Sequence, residues 1–314
     1  LAEANAYTAA GLWPTAGNVK QDAFFAGGYS GAGLTQIDTI DISTTGNATD
    51  FGDLSTAQYM GGCSSSATRA IIGGGDSNSS TILYFTMSSG GATGTFGSLN
   101  QSVSSGVAGA SNSTRGLMLG GFYFSGNNVY ATNIQYVTIA STGNATDFGD
   151  LTLGRNQTTA ASNSTRAICS GGNDGSGSNS TNVMDYVTIG TTGNATDFGD
   201  LAASTRRQAG AASSTRALFA GGRDSGGPDN GCQYVTIAST GNAADFGNLT
   251  ITREELGGTS GATRSVFGGG GNGRDTIDFY TTASTGAATD FGDLAQSRDQ
   301  ATQTTSTAHG GLAA

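Results

Sequence analysis

Five copies of Asp-Phe-Gly, at Asp50, Asp147, Asp197, Asp245 and Asp290, are the first residues in this chain that invite a chemical reading. In a kinase that aspartate holds magnesium, working with a strand lysine and a His-Arg-Asp loop; neither accompanies it here. A tripeptide that recurs five times belongs to a repeat, not to a single site. His309 is the single histidine and lies within the last six residues. A Ser-His-Asp triad or a histidine metal site would rest on that one residue, which is expected to be a frayed end. Cys63, Cys169 and Cys232 are odd in number and show no Cys-x-x-Cys spacing, so they read as small buried hydrophobes. Gly268–Gly271 resembles a phosphate loop by composition only, since no Gly-Lys-Ser/Thr or helical pattern follows. Asn-x-x-Asp-x-x-Asp offers hard oxygens for calcium, and Asn47, Asn144 and Asn194 match the glycosylation triplet; turn chemistry explains both. No pair of carboxylates is singled out for glycosidase work, and no metal ligand set or cofactor motif is found.

The elements that carry these residues follow from composition and repetition. The chain has 314 residues, 53 of them glycine, and only 11% are charged. Lys20 is the only lysine, and Glu3, Glu254 and Glu255 are the only glutamates. Scarce helix formers beside abundant Gly, Ser, Thr and Asn exclude a mostly helical protein. A net charge of −10 disfavours nucleic acid and anionic membrane surfaces, and no apolar run is long enough to span a bilayer. No signal peptide is visible in residues 1–20.

The segment Thr142–Leu151 recurs at Thr45–Leu54, Thr192–Leu201, Thr240–Leu249 and Thr285–Leu294, with a decayed copy at Gly91–Leu99. Before five copies stands Ser-Thr-Arg or Ala-Thr-Arg, then a short apolar run and Gly-Gly, as in Arg115–Gly121. The leading glycines fall at 27, 74, 120, 171, 221 and 269, a period of roughly 48 residues that fits propeller blades. Each unit reads as four strands. The first ends in Gly-Gly, and the second alternates apolar and polar residues. The third carries Asp-Phe-Gly-Asp-Leu and the fourth is small and polar. Thr-Gly-Asn between the second and third is a tight hairpin turn. The repeated Phe is expected to fill the space between neighbouring sheets, and Phe148→Ala to destabilise accordingly.

This order of apolar-Gly-Gly, tyrosine strand, aromatic-Leu strand, arginine and small-residue strand resembles the kelch-type β-propeller repeat. Phe51, Phe96, Phe148, Phe198, Phe246 and Phe291 stand where kelch repeats usually carry Trp. An arginine follows the third strand at Arg155, Arg253 and Arg298, and one place later at Arg206. The wording of the repeat also resembles kelch-like proteins of tailed phages, marine ones especially. The fold implied is all-β: a six-bladed kelch-like propeller with four antiparallel strands per blade. Its blades run approximately 20–67, 68–113, 114–164, 165–214, 215–262 and 263–311, after an N-terminal extension, 1–19. The ring closes by the first Gly-Gly strand pairing beside the last unit's strands. The copper-radical oxidases built on such a propeller need ligands this chain lacks.

The remaining residues sort into scaffold and site. Arg69, Arg115, Arg166, Arg216 and Arg264 are expected to pair with Asp147, Asp150 and their equivalents rather than to form a cationic ring. The connections from first to second strand vary in length and content and should share one face, where recognition is expected. The richest is Phe122, Tyr123, Phe124, Asn127, Asn128 and Tyr130; Arg223, Asp224, Asp229 and Asn230 rank second. The resemblance implies a non-catalytic virion surface protein: a tail-fibre, baseplate or capsid-decoration propeller, extracellular, contacting other virion proteins or host-surface glycan. It binds no nucleic acid, inserts in no membrane, needs no cofactor and is compatible with a homo-oligomer. The alternative is a secreted carbohydrate-binding propeller, with a glycan hydrolase or lyase behind it.

Overall fold

The computed structural model describes residues 21–75, 79–90, 93–103, 105–125, 127–176, 180–300, 304–306 and 308–309. The N-terminal extension and parts of the second and fourth variable loops lie outside the described residues.

Alternating apolar residues and regularly spaced turns produce only strands of consequence. Blade 1 holds β1 (Asp22–Ala26), β2 (Gln36–Asp41) and β3 (Thr49–Asp53). Blade 2 holds β4 (Gly62–Ser65), β5 (Arg69–Gly73), β6 (Ser79–Thr86) and β7 (Gly94–Val103). Blade 3 holds β8 (Ala108–Ser111) and β9 (Arg115–Leu119), then a separate hairpin, β10 (Phe122–Phe124) and β11 (Asn128–Tyr130). It is completed by β12 (Asn133–Thr138) and β13 (Thr146–Asp150). Blade 4 holds β14 (Thr159–Ser162), β15 (Arg166–Ser170), β16 (Val183–Thr188) and β17 (Thr196–Asp200). Blade 5 holds β18 (Ala209–Ala212) and β19 (Arg216–Ala220), a small hairpin of β20 (Arg223–Asp224) and β21 (Gly227–Pro228), then β22 (Gly231–Thr236) and β23 (Ala244–Asn248). Blade 6 holds β24 (Gly257–Ser260), β25 (Arg264–Gly268), β26 (Thr276–Thr281) and β27 (Thr289–Asp293). The last strand, β28 (Thr304–Ser306), returns to blade 1 and pairs antiparallel with β1, Phe24 facing Thr305. The ring is thus six blades of four antiparallel strands, closed by its C-terminal strand.

The sheets are cut one strand earlier than the sequence units. The small polar strand at the end of each unit opens the next blade, because the Ser-Thr turn folds it back as a hairpin onto the strand that follows, as β4 pairs with β5. These innermost strands line the axis.

The core lies between blades. Leu117, Leu119, Ile134 and Phe148 of blade 3 pack on Ala167, Cys169, Val187 and Ile189 of blade 4, and five equivalent clusters complete the circle. A blade alone would leave both faces wet; stacking buries them. In blade 6, Tyr280 and Thr282 stand where blades 3, 4 and 5 carry Val and Ile. Both are buried, and the Tyr280 ring meets Phe246 and Phe267 edge-on at 5.2 and 5.8 Å.

The Thr-Gly-Asn-Ala turn also joins blades. In blade 5, Gly241 N–H donates to Phe198 O at 2.7 Å and Ala243 N–H to Asp200 O at 2.8 Å, while Asp200 N–H donates to Asn242 Oδ1 at 3.0 Å. The turn lies against the outer strand of the preceding blade and occupies an edge that would otherwise be open to pairing. Gly199 is glycine for this reason: a Cβ there would sit 2.5 Å from Gly241 O. Asn47, Asn144 and Asn194 make the same bond as Asn242, so the repeated motif is a clasp between blades.

Candidate functional site

The variable connections and the linkers between blades emerge on the same face of the ring. Five of the six connections are pinned at the base by a linker: Tyr29 bridges Asp299, Phe122 bridges Ser105, Asn173 bridges Asn156, Arg223 bridges Arg206, and Gly271 N–H donates to Glu254 O at 2.7 Å. The Gly-Gly pair permits this. Gly221 and Gly222 have φ of 62° and 100°, and a Cβ on either would meet Arg253 O or Arg206 O at 2.7 Å.

Above that base only the β10–β11 hairpin carries aromatics outward. Phe122 faces Tyr130 and Phe124 faces Asn128 across the pair, with Tyr123 and Val129 on the other side. Phe122 and Tyr130 meet edge-on at 5.6 Å, and the Tyr130 ring lies where a side chain on Gly175 of blade 4 would have to go. These two rings are therefore the hairpin's foot, and Tyr123 is half-buried. Phe124 is 60% exposed, the one large exposed hydrophobic among the described residues, with exposed Asn127 and Asn128 beside it.

The second-ranked residues mostly hold the scaffold. Arg223 Nη1 reaches Glu254 Oε1 at 2.6 Å, and Arg207 reaches Glu254 at 3.2 Å and Glu255 at 2.8 Å. Burial, with Arg207 and Arg223 nearby, holds the Arg206 guanidinium below its usual range; burial pushes the Glu255 carboxyl up despite Arg207. Asp224 Oδ1 accepts from Gly226 and Gly227 N–H at 2.7 and 3.1 Å, capping the β20–β21 turn. Asn230 donates to Leu249 O at 3.4 Å. Asp229 is exposed, and its backbone N–H donates to Gly222 O at 2.9 Å.

The Ser-Thr-Arg arginines do not pair with Asp147 or Asp150 as expected. Each lies over the aromatic ring of its own second strand, from Arg264 over Phe279 at 4.6 Å to Arg216 over Tyr234 at 4.9 Å. Arg115 faces Thr138 in the register and Tyr136 faces Leu117, so the ring is a diagonal neighbour within reach. The same guanidiniums donate to carbonyls of the following blade, Arg115 to Ile189 O at 3.0 Å and Arg166 to Ile237 O at 3.0 Å. Asp147 and Asp150 stay exposed on the outer edge.

The ion pairs are elsewhere. Arg155, Arg253 and Arg298 are fully buried and pair with Asp185, Asp278 and Asp38 at 2.9, 2.9 and 2.7 Å. Each ties a linker to the second Gly-Gly-side strand of the blade it enters. Burial pushes the Asp38 carboxyl up and the Arg253 and Arg298 guanidiniums down, against the pull of their partners. The pairing was legible as covariation within the chain. The equivalent positions read Gln58 with Leu83, Val103 with Gln135 and Thr205 with Gln233, so the aspartate appears only where the arginine does.

The axis, where a propeller enzyme could hold substrate, is narrow. Cys63, Gly109, Ala160, Gly210, Gly258 and Thr304 line it, one from each innermost strand, around cavities of about 40 Å³ each. That volume suits a water molecule or two. Among the described residues no carboxylate lines either cavity. At the variable face, Met60, Gly106, Gln157, Arg207, Glu255 and Gln300 form a collar, all at φ between 52° and 68°. Backbone bonds run around it: Gly106 N–H to Met60 O, Arg207 N–H to Gln157 O and Glu255 N–H to Arg207 O, each 2.9 Å. Five of the six are not glycine, and single residues in that conformation carry no sequence signal strong enough to predict it.

His309 is not a frayed end. It sits at the opposite mouth of the axis, with Nε2 2.9 Å from Ser111 Oγ and Nδ1 3.1 Å from both Ser65 Oγ and Ser306 O. All three cysteines are buried and unpaired with one another, as expected; burial raises the Cys63 thiol to about 12 and the other two thiols as well. Among the described residues no three His, Cys, Asp or Glu side chains group as a metal site, and no helix is long and apolar enough to cross a membrane.

The chain is a six-bladed β-propeller. A solved chain described as "Structure of YjhT" superposes with a TM-score of 0.66 at 9% identity, covering 79% of this chain and 87% of that one. At such identity the likeness shows the fold alone, and 433 solved chains match, so the fold does not select a function. No protein-family model matches the chain, and no curated sequence does.

Proposed function

We propose that this propeller is a non-catalytic recognition module that attaches to its partner through the β10–β11 hairpin. The observation that carries the reading is Phe124, 60% exposed at the tip of a hairpin whose other aromatics hold it in place. A rigid aromatic anchor on a fixed scaffold is what recognition sites use, and a large apolar side chain in water has no stabilising role of its own. The narrow axis and the structural use of the arginines and glutamates support the same reading, because they leave little room for a reaction.

The finer reading is a kelch-like surface protein of a tailed-phage virion, in a tail fibre, baseplate or capsid decoration. It rests on the resemblance of the repeat's wording and predicts an extracellular partner, either another virion protein or a host glycan. The secreted carbohydrate-binding alternative draws on one observation: Phe124 stands across from Asn128, an aromatic face beside an amide, which suits stacking on a sugar. A glycan array and a map of the native particle test the two together. Density for this ring on a particle with the hairpin against a neighbour supports the virion protein contact. Saturable glycan binding without turnover supports the sugar. Turnover of any bound glycan overturns the non-catalytic reading.

A further inference from the structure

The seam between blades 2 and 3 departs from the other five on the face opposite the variable connections. There the β4–β5 and β8–β9 turns lie side by side, since β5 and β9 run from these turns toward their Gly-Gly ends. At the next two seams an asparagine ties one turn to the following one. Asn112 Nδ2 donates to Ser164 O at 3.3 Å, and Asn163 Nδ2 to Ser214 O at 2.8 Å. Gln21 makes the tie between blades 6 and 1, where its Oε1 accepts from Ala262 N–H at 2.7 Å. In blade 2 the asparagine's place is taken by Ser66, whose hydroxyl stays within its own turn, accepting from Thr68 and Arg69 N–H at 3.3 and 3.2 Å. Ser213 makes the same exchange in blade 5, but there Arg216 Nη1 spans Thr282 O and Ala283 O at 3.3 and 2.7 Å. Arg69 has one such bond, from Nη1 to Ile139 O at 2.9 Å, and no acceptor among the described residues takes its Nε or Nη2. Between blades 1 and 2, Asp22 stands in the arginine's place.

The outer strand of blade 2 differs as well. Thr95 and Ser98 stand where blade 3 carries Asp147 and Asp150, and every other outer strand keeps at least one of these aspartates. The seam opens into a cavity of about 420 Å³ between the two turns, with Ser66, Thr68, Arg69, Thr86 and Ser113 in its wall. A second cavity of about 160 Å³ lies across the turn at 138–142, with Thr138, Thr142 and Asn144 in its wall. Among the described residues Arg69 is the only charged group lining either one. The larger volume falls in the range of small-molecule sites, ~300–1,000 Å³, whereas the cavities of the axis do not.

These walls suit one chemistry. Four side-chain hydroxyls can exchange hydrogen bonds with the hydroxyls of a ligand. Nε and Nη2 share one edge of the guanidinium, the fork that grips a carboxylate through two parallel bonds. The fork is set in advance, because Tyr84 lies 4.8 Å from the Arg69 guanidinium carbon and Ile139 O holds Nη1. On an acidic chain, this seam is where carboxylates are missing beside a cation with an edge to spare.

We propose that the seam between blades 2 and 3 binds an acidic sugar, a hexuronate unit whose carboxylate pairs with Arg69 and whose hydroxyls meet Ser66, Thr68, Thr86 and Ser113. The site is separate from the β10–β11 hairpin on the other face, so the two attachments stand or fall independently.

NMR titration of the full chain with glucuronate, galacturonate, glucose and inorganic sulfate tests the proposal. At least one uronate should saturate and shift the amides of Ser66, Thr68, Arg69 and Ser113, with glucose and sulfate each weaker by about tenfold or more. Ser66→Asn gives blade 2 the tie that blades 3 and 4 already use, so it should keep the melting temperature and weaken uronate binding by about tenfold. Arg69→Lys, which keeps the charge without the fork, should bind uronate and glucose nearly alike. Phe124→Ala should bind uronate as the unaltered protein does. Failure of both uronates to saturate, glucose or sulfate binding as tightly as uronate, or undiminished affinity in Ser66→Asn and Arg69→Lys would overturn the site. So would loss of uronate binding in Phe124→Ala, which would place the sugar at the hairpin instead.

Discussion

Replacing Asp278 by leucine takes the carboxylate out of one of three buried ion pairs and leaves Arg253 charged inside the ring. Arg253 donates from Nη2 to Asp278 Oδ2 at 2.9 Å and to Phe267 O at 3.1 Å, and from Nη1 to Gly269 O at 2.9 Å and Thr276 O at 2.6 Å. Asp278 also accepts from Thr250 Oγ1 at 2.6 Å and Thr250 N–H at 3.2 Å. The single change strands one guanidinium donor and two Thr250 donors and leaves a cation unpaired. Breaking a buried pair from one side costs about 3–5 kcal/mol. Arg253→Gln should cost a similar amount, since it strands the carboxylate instead. The chain already contains the compensated alternative, Gln58 with Leu83 in blade 2. The double variant Arg253→Gln, Asp278→Leu should therefore be more stable than either single one by about 2 kcal/mol. Urea unfolding of the four proteins closes the cycle. Single effects below about 1 kcal/mol, or effects that simply add, would refute the view that each pair is one unit linking a linker to its blade.

Three further outcomes are expected. Phe148→Ala should destabilise by about 3–5 kcal/mol in the same assay, because the ring fills the space between blades 3 and 4; a change near zero would mean the third strand does not face the core. Gly247→Ala should cost about 1–3 kcal/mol, since the added methyl meets Gly286 O in the clasp, and exchange of the Gly286 and Ala288 amides should rise; unaltered exchange would dissociate the motif from blade pairing. Iodoacetamide at pH 8 should label none of the three thiols until the protein unfolds, because burial keeps them protonated; rapid labelling of Cys63 would mean that the axis is open.

The repeat made most of the fold legible. Gly-Gly and Asp-Phe-Gly-Asp recur because a backbone of the same or the next blade passes too close for a side chain, and Thr-Gly-Asn recurs because its amides and asparagine bond the outer strand of the preceding blade; both constraints are written directly in residue type. The innermost strands were harder to place, since Ala209-Gly210-Ala211-Ala212 has no alternation and its partner is set by the turn that follows it. The arginines misled because charge suggests a carboxylate, whereas Tyr136 and its equivalents lie nearer in the register than Asp147 does. Asp38, Asp185 and Asp278 alternate within strands like surface residues, and only comparison between units reveals their arginines. The candidate site was visible as a cluster of aromatics, but which of them stand free depends on packing. Phe122 and Tyr130 are spent on the hairpin's foot, so Tyr130→Ala would unsettle the site as well as remove a ring. Phe124 is the residue to change alone.

Attachment of Phe124→Ala to the partner, measured beside the unaltered protein at matched melting temperature, bears most directly on recognition through the rim. An exposed side chain contributes within about 0.5 kcal/mol to stability, so unfolding should be nearly unmoved while affinity falls tenfold or more, as for a buried anchor at an interface. Equal affinity in the two proteins, with binding lost instead on narrowing the axis by Ala160→Val, would contradict it.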